Sequence, residues 1–208
     1  MSEKAFGNHQ HDPYYERMHT QSGLYILLAA GFSRRFGSPK LLHKLPSGNS
    51  IINTAIDALT KSGCDFAVVV REDDAALLAH LHHLNINTVK VQNAEQGLSS
   101  VIAEATEALS SRATDWIGIC LADMPYIQSQ TLTDLTSYAT PNAIIRPCYQ
   151  GKPGHPVLFG RDYFGELTKL AGDDGAKSVI KRFSDALRRI DIEDSMVLYD
   201  IDKPERVR

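Results

Sequence analysis

The sequence predicts an α/β fold in which a mostly parallel sheet carries helices on both of its faces. Short apolar runs of strand length alternate with amphipathic segments of helical length, and this alternation is typical of a parallel sheet. The 208 residues suffice for one sizeable α/β domain with its own hydrophobic core. In such a sheet ligands bind at the carboxyl ends of the strands, so functional residues are expected where the apolar runs end.

The composition is ordinary for a globular protein and argues against two classes of partner. Hydrophobic residues make up 43% of the chain, charged residues 23%, and the formal net charge is −3. This balance predicts neither a nucleic-acid-binding nor a membrane-binding face, and no apolar stretch approaches the roughly 20 residues of a spanning helix. The three scattered cysteines indicate free thiols, two of them in buried strands, and hence a reducing, cytoplasmic compartment.

The chain divides into a short extension and one domain. Residues 1–21 are polar and show no apolar periodicity, which predicts a flexible N-terminal extension. They also lack the hydrophobic run of a signal peptide. Residues 22–208 are expected to form a single domain, because they contain neither an internal repeat nor a low-complexity linker.

The first apolar run, residues 24–30, predicts a buried parallel strand that ends in a basic, glycine-containing loop. Glycine lets the backbone approach a ligand closely, and amide N–H groups with Arg and Lys side chains bind phosphates. The spacing of Gly31, Gly37 and Lys40 matches neither the Walker A loop nor the dinucleotide fingerprint. The residues alone leave a phosphate loop and an ordinary turn with solvated basic side chains as open alternatives.

The following elements continue the alternation of strands and helices. Ser50 is expected to cap a helix over residues 51–61, whose apolar side chains share one face. Further strands are predicted at 66–70, 86–91, 116–122, 143–149 and 187–192, and further helices at 73–84, after 93–100, near 129 and after 172–177.

Polar residues follow the strand predicted at 86–91, where Gly97, Ser99 and Ser100 open a helix. The first-turn N–H groups and the two hydroxyls can bond a ribose, a base or a phosphate. Plain N-capping of the helix is the alternative.

Acidic residues occupy two other positions at which a cation can bind. Asp123 comes directly after a buried strand and before Met124-Pro125, a good position for a Mg²⁺ ligand; capping of the helix near Ser129 is the alternative. Asp200 and Asp202 lie two residues apart on an extended segment, so their side chains point the same way and can share a cation.

Two further candidate residues, both basic, lie in the last third of the chain. His155 stands between Gly154 and Pro156, where a lone histidine is more often structural than catalytic. Lys177 follows Gly172-Asp-Asp-Gly-Ala and opens a helix whose N-terminal amides, with the lysine, can hold a phosphate. A capped surface helix is the alternative.

Together these motifs resemble the molybdenum-cofactor nucleotidyltransferase family of MobA-like NTP transferases, most closely its cytidylyltransferases. The similar segments are Ala29-Ala30-Gly31-x-Ser33-x-Arg35-Phe36-Gly37-x-x-Lys40, Gly97-Leu98-Ser99-Ser100, Leu121-Ala122-Asp123-Met124-Pro125, Gly154-His155-Pro156, Gly172-Asp173-x-Gly175-Ala176 and Asp200-Ile201-Asp202. The resemblance spans residues 23–205. It implies a Rossmann-like three-layer α/β/α fold with a mostly parallel mixed sheet, of the nucleotide-diphospho-sugar transferase type.

The resemblance also implies a role for each candidate residue. The triphosphate of an NTP and its base would be held by Leu28, Ala29, Ala30, Gly31, Ser33, Arg35 and Lys40, and by Gly97, Ser99 and Ser100. Asp123 and Asp202 would hold Mg²⁺, while His155 and Lys177 would face the acceptor. Arg35, Lys40 and Asp123 would act directly in catalysis.

The reaction implied is the transfer of CMP from CTP to the terminal phosphate of a molybdopterin-type cofactor, with release of pyrophosphate. CTP is favoured over GTP because the guanylyl branch has glycine where Ala30 stands, and a methyl group beside the base leaves less room for a purine. A molybdoenzyme that receives the product is a further implied partner. Two alternatives stay open: another acceptor phosphate (a GTP-using cofactor enzyme, or a sugar or polyol phosphate), and a non-catalytic maturation factor.

Overall fold

In the computed structural model, the described residues are 22–33, 36, 39–110, 112 and 114–203. The predicted extension over residues 1–21 and the candidate residue Arg35 lie outside them. Within the described ranges the strands are β1 (Gly23–Leu28), β2 (Asp65–Arg71), β3 (Thr88–Val91), β4 (Trp116–Leu121), β5 (Ile144–Tyr149), β6 (Lys152–Pro153), β7 (Val157–Gly160) and β8 (Leu187–Asp191). The helices are α1 (Ile51–Ser62), α2 (Ala75–His83), α3 (Leu98–Leu109), α4 (Ser129–Thr136), α5 (Phe164–Leu167) and α6 (Lys177–Arg182).

The strands form one eight-stranded sheet in the order β3-β2-β1-β4-β7-β5-β6, with β8 paired to β5. The pairs β1–β2, β1–β4, β2–β3 and β5–β8 are parallel, whereas β7 runs antiparallel between β4 and β5. β5 therefore points in the same direction as β4. The carboxyl ends of β1 to β5 and of β8 consequently meet at one edge of the sheet, and the prediction of a mostly parallel mixed sheet is confirmed.

Successive side chains of a strand point to opposite faces of the sheet. Because the strands are apolar at successive positions, both faces must be buried, and helices cover each of them. Along β1, Tyr25 and Leu27 pack with α1, α2 and α4, whereas Leu24, Ile26 and Leu28 pack with α3, α5 and α6. This is the predicted three-layer α/β/α arrangement. None of the helices in the described part of the chain combines the length and the hydropathy needed to cross a membrane.

Local signals fix several of the element boundaries. The Ser50 hydroxyl accepts a hydrogen bond from the Asn53 amide at 3.3 Å and caps α1, as predicted. The same helix stops at Gly63, which has a φ of 71°. Cys120 and Cys148 are buried and free, as predicted, and Cys64 is half-buried and free.

Candidate nucleotide-binding site

A crevice of about 410 Å³ opens at the carboxyl ends of β1 and β4. The sequence-predicted site residues in its wall are Leu28, Ala29, Ala30, Gly31, Ser33, Lys40, Gly97, Asp123 and Asp202. The wall also contains residues that were not predicted as site residues: Phe32, Phe36, Leu41, Ala94, Leu98, Val101, Leu121 and Asp173. Ser99, Ser100, His155 and Lys177 do not line it. The crevice therefore brings most of the predicted nucleotide residues together and leaves the predicted acceptor residues outside.

Opposite charges meet across this crevice. The Lys40 ammonium lies 2.8 Å from Asp123 Oδ2 and 3.9 Å from Asp202 Oδ1. Lys40 is largely buried, with 10% of its side chain exposed, whereas Asp123 and Asp202 expose 27% and 41%. The basic turn after β1 and the acidic tip of β4, which are distant in sequence, thus share one small volume.

The backbone explains how these three side chains converge. The Ala122 amide donates to the Leu28 carbonyl at 3.1 Å, which holds the tip of β4 beside the end of β1. The Ile201 amide donates to the Asp123 carbonyl at 2.8 Å and so brings Asp202 alongside. Lys40 starts the short 3-10 turn Lys40–Leu42, and its side chain reaches back into the crevice.

The arrangement of Lys40, Asp123 and Asp202 suits a divalent cation. A positive charge already lies between the two carboxylates, so this position accommodates a cation electrostatically. Carboxylate oxygens are the ligands that Mg²⁺ prefers, and Mg²⁺ completes its shell with phosphate oxygens and water. Because the described residues contain no group of three or more His, Cys, Asp or Glu suited to a metal, a cation here would need those additional oxygens.

Arg71, at the end of β2, holds the loop that follows β1. Its Nη1 donates to the Gly31 carbonyl at 3.1 Å, and its guanidinium lies 4.3 Å from the centre of the Phe32 ring. Ion pairs with Asp73 at 2.9 Å and Asp74 at 3.4 Å fix the other side of the guanidinium. Sequence reasoning missed Arg71, although a basic residue at the carboxyl end of a buried strand was a visible signal.

The start of α3 is joined to the loop at residues 172–175. Ser99 donates from its amide to the Gly172 carbonyl at 2.9 Å and from its hydroxyl to the Gly175 carbonyl at 3.0 Å. The Asp173 carboxylate accepts from the Leu98 amide at 3.2 Å. The N-cap residue of α3 is Gly97, and the side chain that bonds its first turn is Asp173, so the capping alternative for Ser99 and Ser100 is wrong. Their contact with a nucleotide stays a prediction.

Gly97 permits this close approach. Its φ is 107°, and a Cβ atom at this position would lie 2.5 Å from the Gly172 carbonyl oxygen and 2.8 Å from the Asp173 Cα. Both the backbone conformation and the lack of space therefore require glycine.

The alternative role of Asp123 as a helix cap is also wrong. The helix near Ser129 is α4, and the carboxylate that accepts hydrogen bonds from the start of this helix belongs to Asp194. Asp194 Oδ2 accepts from the Gln128 amide and from the Thr131 hydroxyl, both at 2.9 Å. Asp194 lies 66 residues from Gln128 in sequence, so local spacing could not identify it.

His155 is mostly buried, and its Nδ1 has no hydrogen-bond partner within the described residues. Burial lowers the pKa of His155 to about 4, the nearby charge of Arg146 lowers it too, and a hydrogen bond with the Ile119 backbone opposes the shift. Lys177, the first residue of α6, is exposed and also lowers the pKa of His155. The imidazole is therefore neutral at pH 7.

The three-layer α/β/α fold and the charged crevice at the carboxyl edge of its sheet are typical of a nucleotide-binding α/β protein. Residues 25–188 match the family described as the MobA-like NTP transferase domain. The chain belongs to this family and is a nucleotidyltransferase.

Solved structures share the fold over nearly the whole domain. Rv0371c from Mycobacterium tuberculosis H37Rv is 24% identical, with a TM-score of 0.77 over 89% of this chain and 95% of that one. Its homologue from Mycobacterium sp. strain JC1 is 25% identical, with a TM-score of 0.75 over 88% and 92% of the two chains. A manganese complex of Rv0371c is also similar, at 23% identity and a TM-score of 0.71, with the same coverage as the first. The comparison with curated proteins finds no match.

Proposed function

We propose that this nucleotidyltransferase moves CMP from CTP to the terminal phosphate of a molybdopterin-type cofactor and releases pyrophosphate. The observation that carries the proposal is the 2.8 Å pairing of Lys40 with Asp123 inside a crevice of about 410 Å³. A cation and a carboxylate at one strand edge can serve a triphosphate and its metal together. The wall of the crevice also contains Ala29, Ala30 and Gly31. The Ala29 amide donates to the Val69 carbonyl at 2.8 Å, so the amide N–H groups proposed to bind the phosphates are those of Ala30 and Gly31.

In this reaction the protein contributes mainly by positioning the two substrates and by neutralising their charge. An oxygen of the acceptor phosphate forms a bond to the α-phosphorus of CTP, and the bond from that phosphorus to the β-bridging oxygen breaks, so that pyrophosphate leaves. The attacking phosphate is already an anion, so no general base is required. Lys40, and Arg35 as a further proposed contact, neutralise the β- and γ-phosphates and the departing pyrophosphate.

Asp123 and Asp202 are the residues that would hold the metal. A bound Mg²⁺ supplies polarisation of the α-phosphate and neutralisation of the charge that builds up around it. Rv0371c forms a complex with manganese, which supports use of a divalent cation in this fold. Lys40, once its carboxylate partners are engaged by a metal, is available to pair with phosphate oxygens.

The proposed preference for CTP rests on how much space the crevice wall leaves for the base. Ala30 is 4% exposed and lines the crevice together with Ala94 and Val101. A methyl group on the backbone beside the base narrows the space for a purine. Gly97, with Ser99 and Ser100 behind it, is proposed to bound the other side of the nucleotide.

The acceptor is assigned from the Gly154-His155-Pro156 and Lys177 segments. We place a molybdopterin-type phosphate there, and a molybdoenzyme in the cytoplasm as the recipient of the product.

The decisive experiment measures pyrophosphate release from CTP, GTP and ATP, each with Mg²⁺ and the molybdenum cofactor. We expect release with CTP at a rate at least about tenfold above GTP and ATP, the equivalent of about 1.4 kcal/mol of discrimination. A panel of sugar and polyol phosphates serves as the acceptor control. Release that depends on one of those phosphates, or on GTP, would replace the proposed substrates and keep the reaction type. Tight CTP binding with no pyrophosphate from any acceptor would overturn the proposal in favour of a maturation factor.

A further inference from the structure

A second group of basic side chains lies outside the nucleotide crevice, on the strands beyond β4. Arg146 of β5 and Arg189 of β8 are direct register partners in a parallel pair, so their side chains leave the sheet on the same face. That face is the one covered by α3 and α6, because Ile144 and Leu187, two residues earlier on each strand, pack in that layer. Lys177 begins α6.

Within the described residues these cations have no acidic partners. None of the ion pairs found there involves Arg146, Lys177 or Arg189. Arg146 is half-buried, and its Nε donates to the Gly154 carbonyl at 3.1 Å. Burial lowers the pKa of Arg146, and the charge of Arg189 lowers it further. Like charges placed together without a counter-charge are unfavourable, and an anionic ligand would relieve that cost.

The register of the sheet places the group beside the crevice. β4 and β7 pair antiparallel with Ile119 opposite Val157. Next to this pair, the His155 side chain forms a hydrogen bond with the Ile119 backbone, and the carbonyl of the preceding residue, Gly154, accepts from Arg146. Leu121, two residues after Ile119 on β4, lines the crevice. On the other side, Asp173 lies in the crevice wall and only three residues separate it from Lys177. The basic group is therefore adjacent to the end of β4, where Asp123 stands.

We propose that Arg146, Arg189 and Lys177 form an anion-binding site for a phosphate monoester, and that this site holds the phosphate of the acceptor. The guanidinium groups of two arginines can each offer a pair of N–H donors to phosphate oxygens. His155 adds a neutral ring whose Nδ1 has no partner in the described part of the chain. The assignment of the anion to the acceptor rests on the proposed function; the anion site itself does not.

Arg189 offers a clean test, because it is exposed and its neighbour Arg188, also exposed, leaves the strand on the opposite face. We would titrate inorganic phosphate, followed by ³¹P NMR, into the full chain saturated with Mg²⁺ and the non-reactive analogue α,β-methylene CTP. Arg189→Gln is expected to weaken phosphate binding about tenfold, in line with the loss of a charge-assisted hydrogen-bond pair. Arg188→Gln is the matched control and should retain the wild-type affinity. Arg146→Gln should weaken it similarly, with circular dichroism showing that the variant folds.

Three outcomes would overturn the anion site: unchanged phosphate affinity in Arg189→Gln, an equal loss in Arg188→Gln, or a loss of affinity for the CTP analogue instead of for phosphate. The last would assign the arginines to the nucleotide. Turnover separates this inference from the proposed function. Phosphate binding that depends on Arg189 without pyrophosphate release from any acceptor would refute the function and keep the site. Pyrophosphate release with an acceptor KM unaffected by Arg189→Gln would keep the function and refute the assignment.

Discussion

Two regions at the carboxyl edge of the sheet differ in whether their charged side chains are paired with opposite charges. On the nucleotide side, Lys40 is paired with Asp123 at 2.8 Å and lies 3.9 Å from Asp202. On the proposed acceptor side, Arg146 and Arg189 are register neighbours with the same charge and form no ion pair within the described residues. The first region balances its own charges, whereas the second carries an excess of positive charge. This difference fits the proposed reaction, in which the nucleotide would bring a divalent cation with it and the acceptor phosphate would not.

The largest effect is expected at Asp123, on which the nucleotide side depends. Asp123→Ala should lower pyrophosphate release by about 10³-fold or more, since it removes the proposed metal ligand beside the reacting phosphate. The fold should persist, because the side chain is partly exposed and does not cap α4. Steady-state assays of pyrophosphate release, with circular dichroism, would check both statements.

Asp57→Ala, at an exposed position of α1, is the control and should retain wild-type activity. Near-normal turnover in folded Asp123→Ala would sink the assignment of Asp123.

The two regions also differ in how far the sequence predicted them. The nucleotide side is encoded by short motifs that follow β1 and β4, and strand direction brings the loop after β1 and Asp123 to one edge of the sheet. The pairing of Arg146 with Arg189 arises from the β5–β8 register, which no local pattern specifies. The same limit applies to Asp194, which bonds the start of α4 from a distant segment, and to Asp173 at the start of α3.

The predicted fold needed less information than the site. The apolar runs and their alternation with amphipathic helices sufficed for the three layers, because each face of the sheet must be covered. The ends of elements were less predictable: the strand expected at residues 24–30 stops at Leu28, since Ala29 and Ala30 turn into the crevice wall. Side-chain roles were least predictable, as Ser99 shows by bonding the loop at residues 172–175.

The close packing of Gly97 against the loop at residues 172–175 is expected to give the next largest effect. Gly97→Ala should lower the free energy of unfolding by about 2–5 kcal/mol, because it adds a strained φ to a backbone overlap. Gly48→Ala is the matched control: its φ is 89°, but a Cβ there meets nothing within 4 Å. It should cost about 1–2 kcal/mol from strain alone. Urea unfolding of both variants measures the difference, and equal losses would contradict the close packing at residues 97 and 172.

His155, on the proposed acceptor side, should make the free energy of unfolding depend on pH under acidic conditions. Its pKa is about 4 in the folded chain against 6.5 for an ordinary histidine, so between these values the unfolded chain binds a proton that the folded chain does not. The stability contributed by the neutral ring is therefore complete above pH 6.5 and falls as the pH falls toward 4. The loss should reach about 2 kcal/mol between neutral pH and about pH 5. Urea unfolding at several pH values tests this.

His155→Gln should remove that part of the pH dependence, whereas His82→Gln, exposed on α2, should leave the wild-type slope. A wild-type slope in folded His155→Gln would show that the imidazole is not the group responsible.

The smallest effect is expected at Lys40 and concerns the affinity of the nucleotide side for a divalent cation. The Lys40 ammonium occupies the space between Asp123 and Asp202, so it competes with a divalent cation for the same carboxylates. Lys40→Met should therefore raise the affinity for Mn²⁺ without nucleotide by about tenfold, the equivalent of about 1.4 kcal/mol. The same variant should bind CTP more weakly, because the phosphates lose a cation.

Electron paramagnetic resonance of free Mn²⁺ gives the first affinity and calorimetry with CTP the second. Lys44→Met, at an exposed position a few residues further on, should change neither, which separates the local competition from a simple change in net charge. If Lys40→Met and Lys44→Met raise the Mn²⁺ affinity equally, Lys40 does not compete for the carboxylates. If neither does, a cation binds elsewhere, and the pairing of Lys40 with Asp123 is a structural ion pair that a metal does not displace.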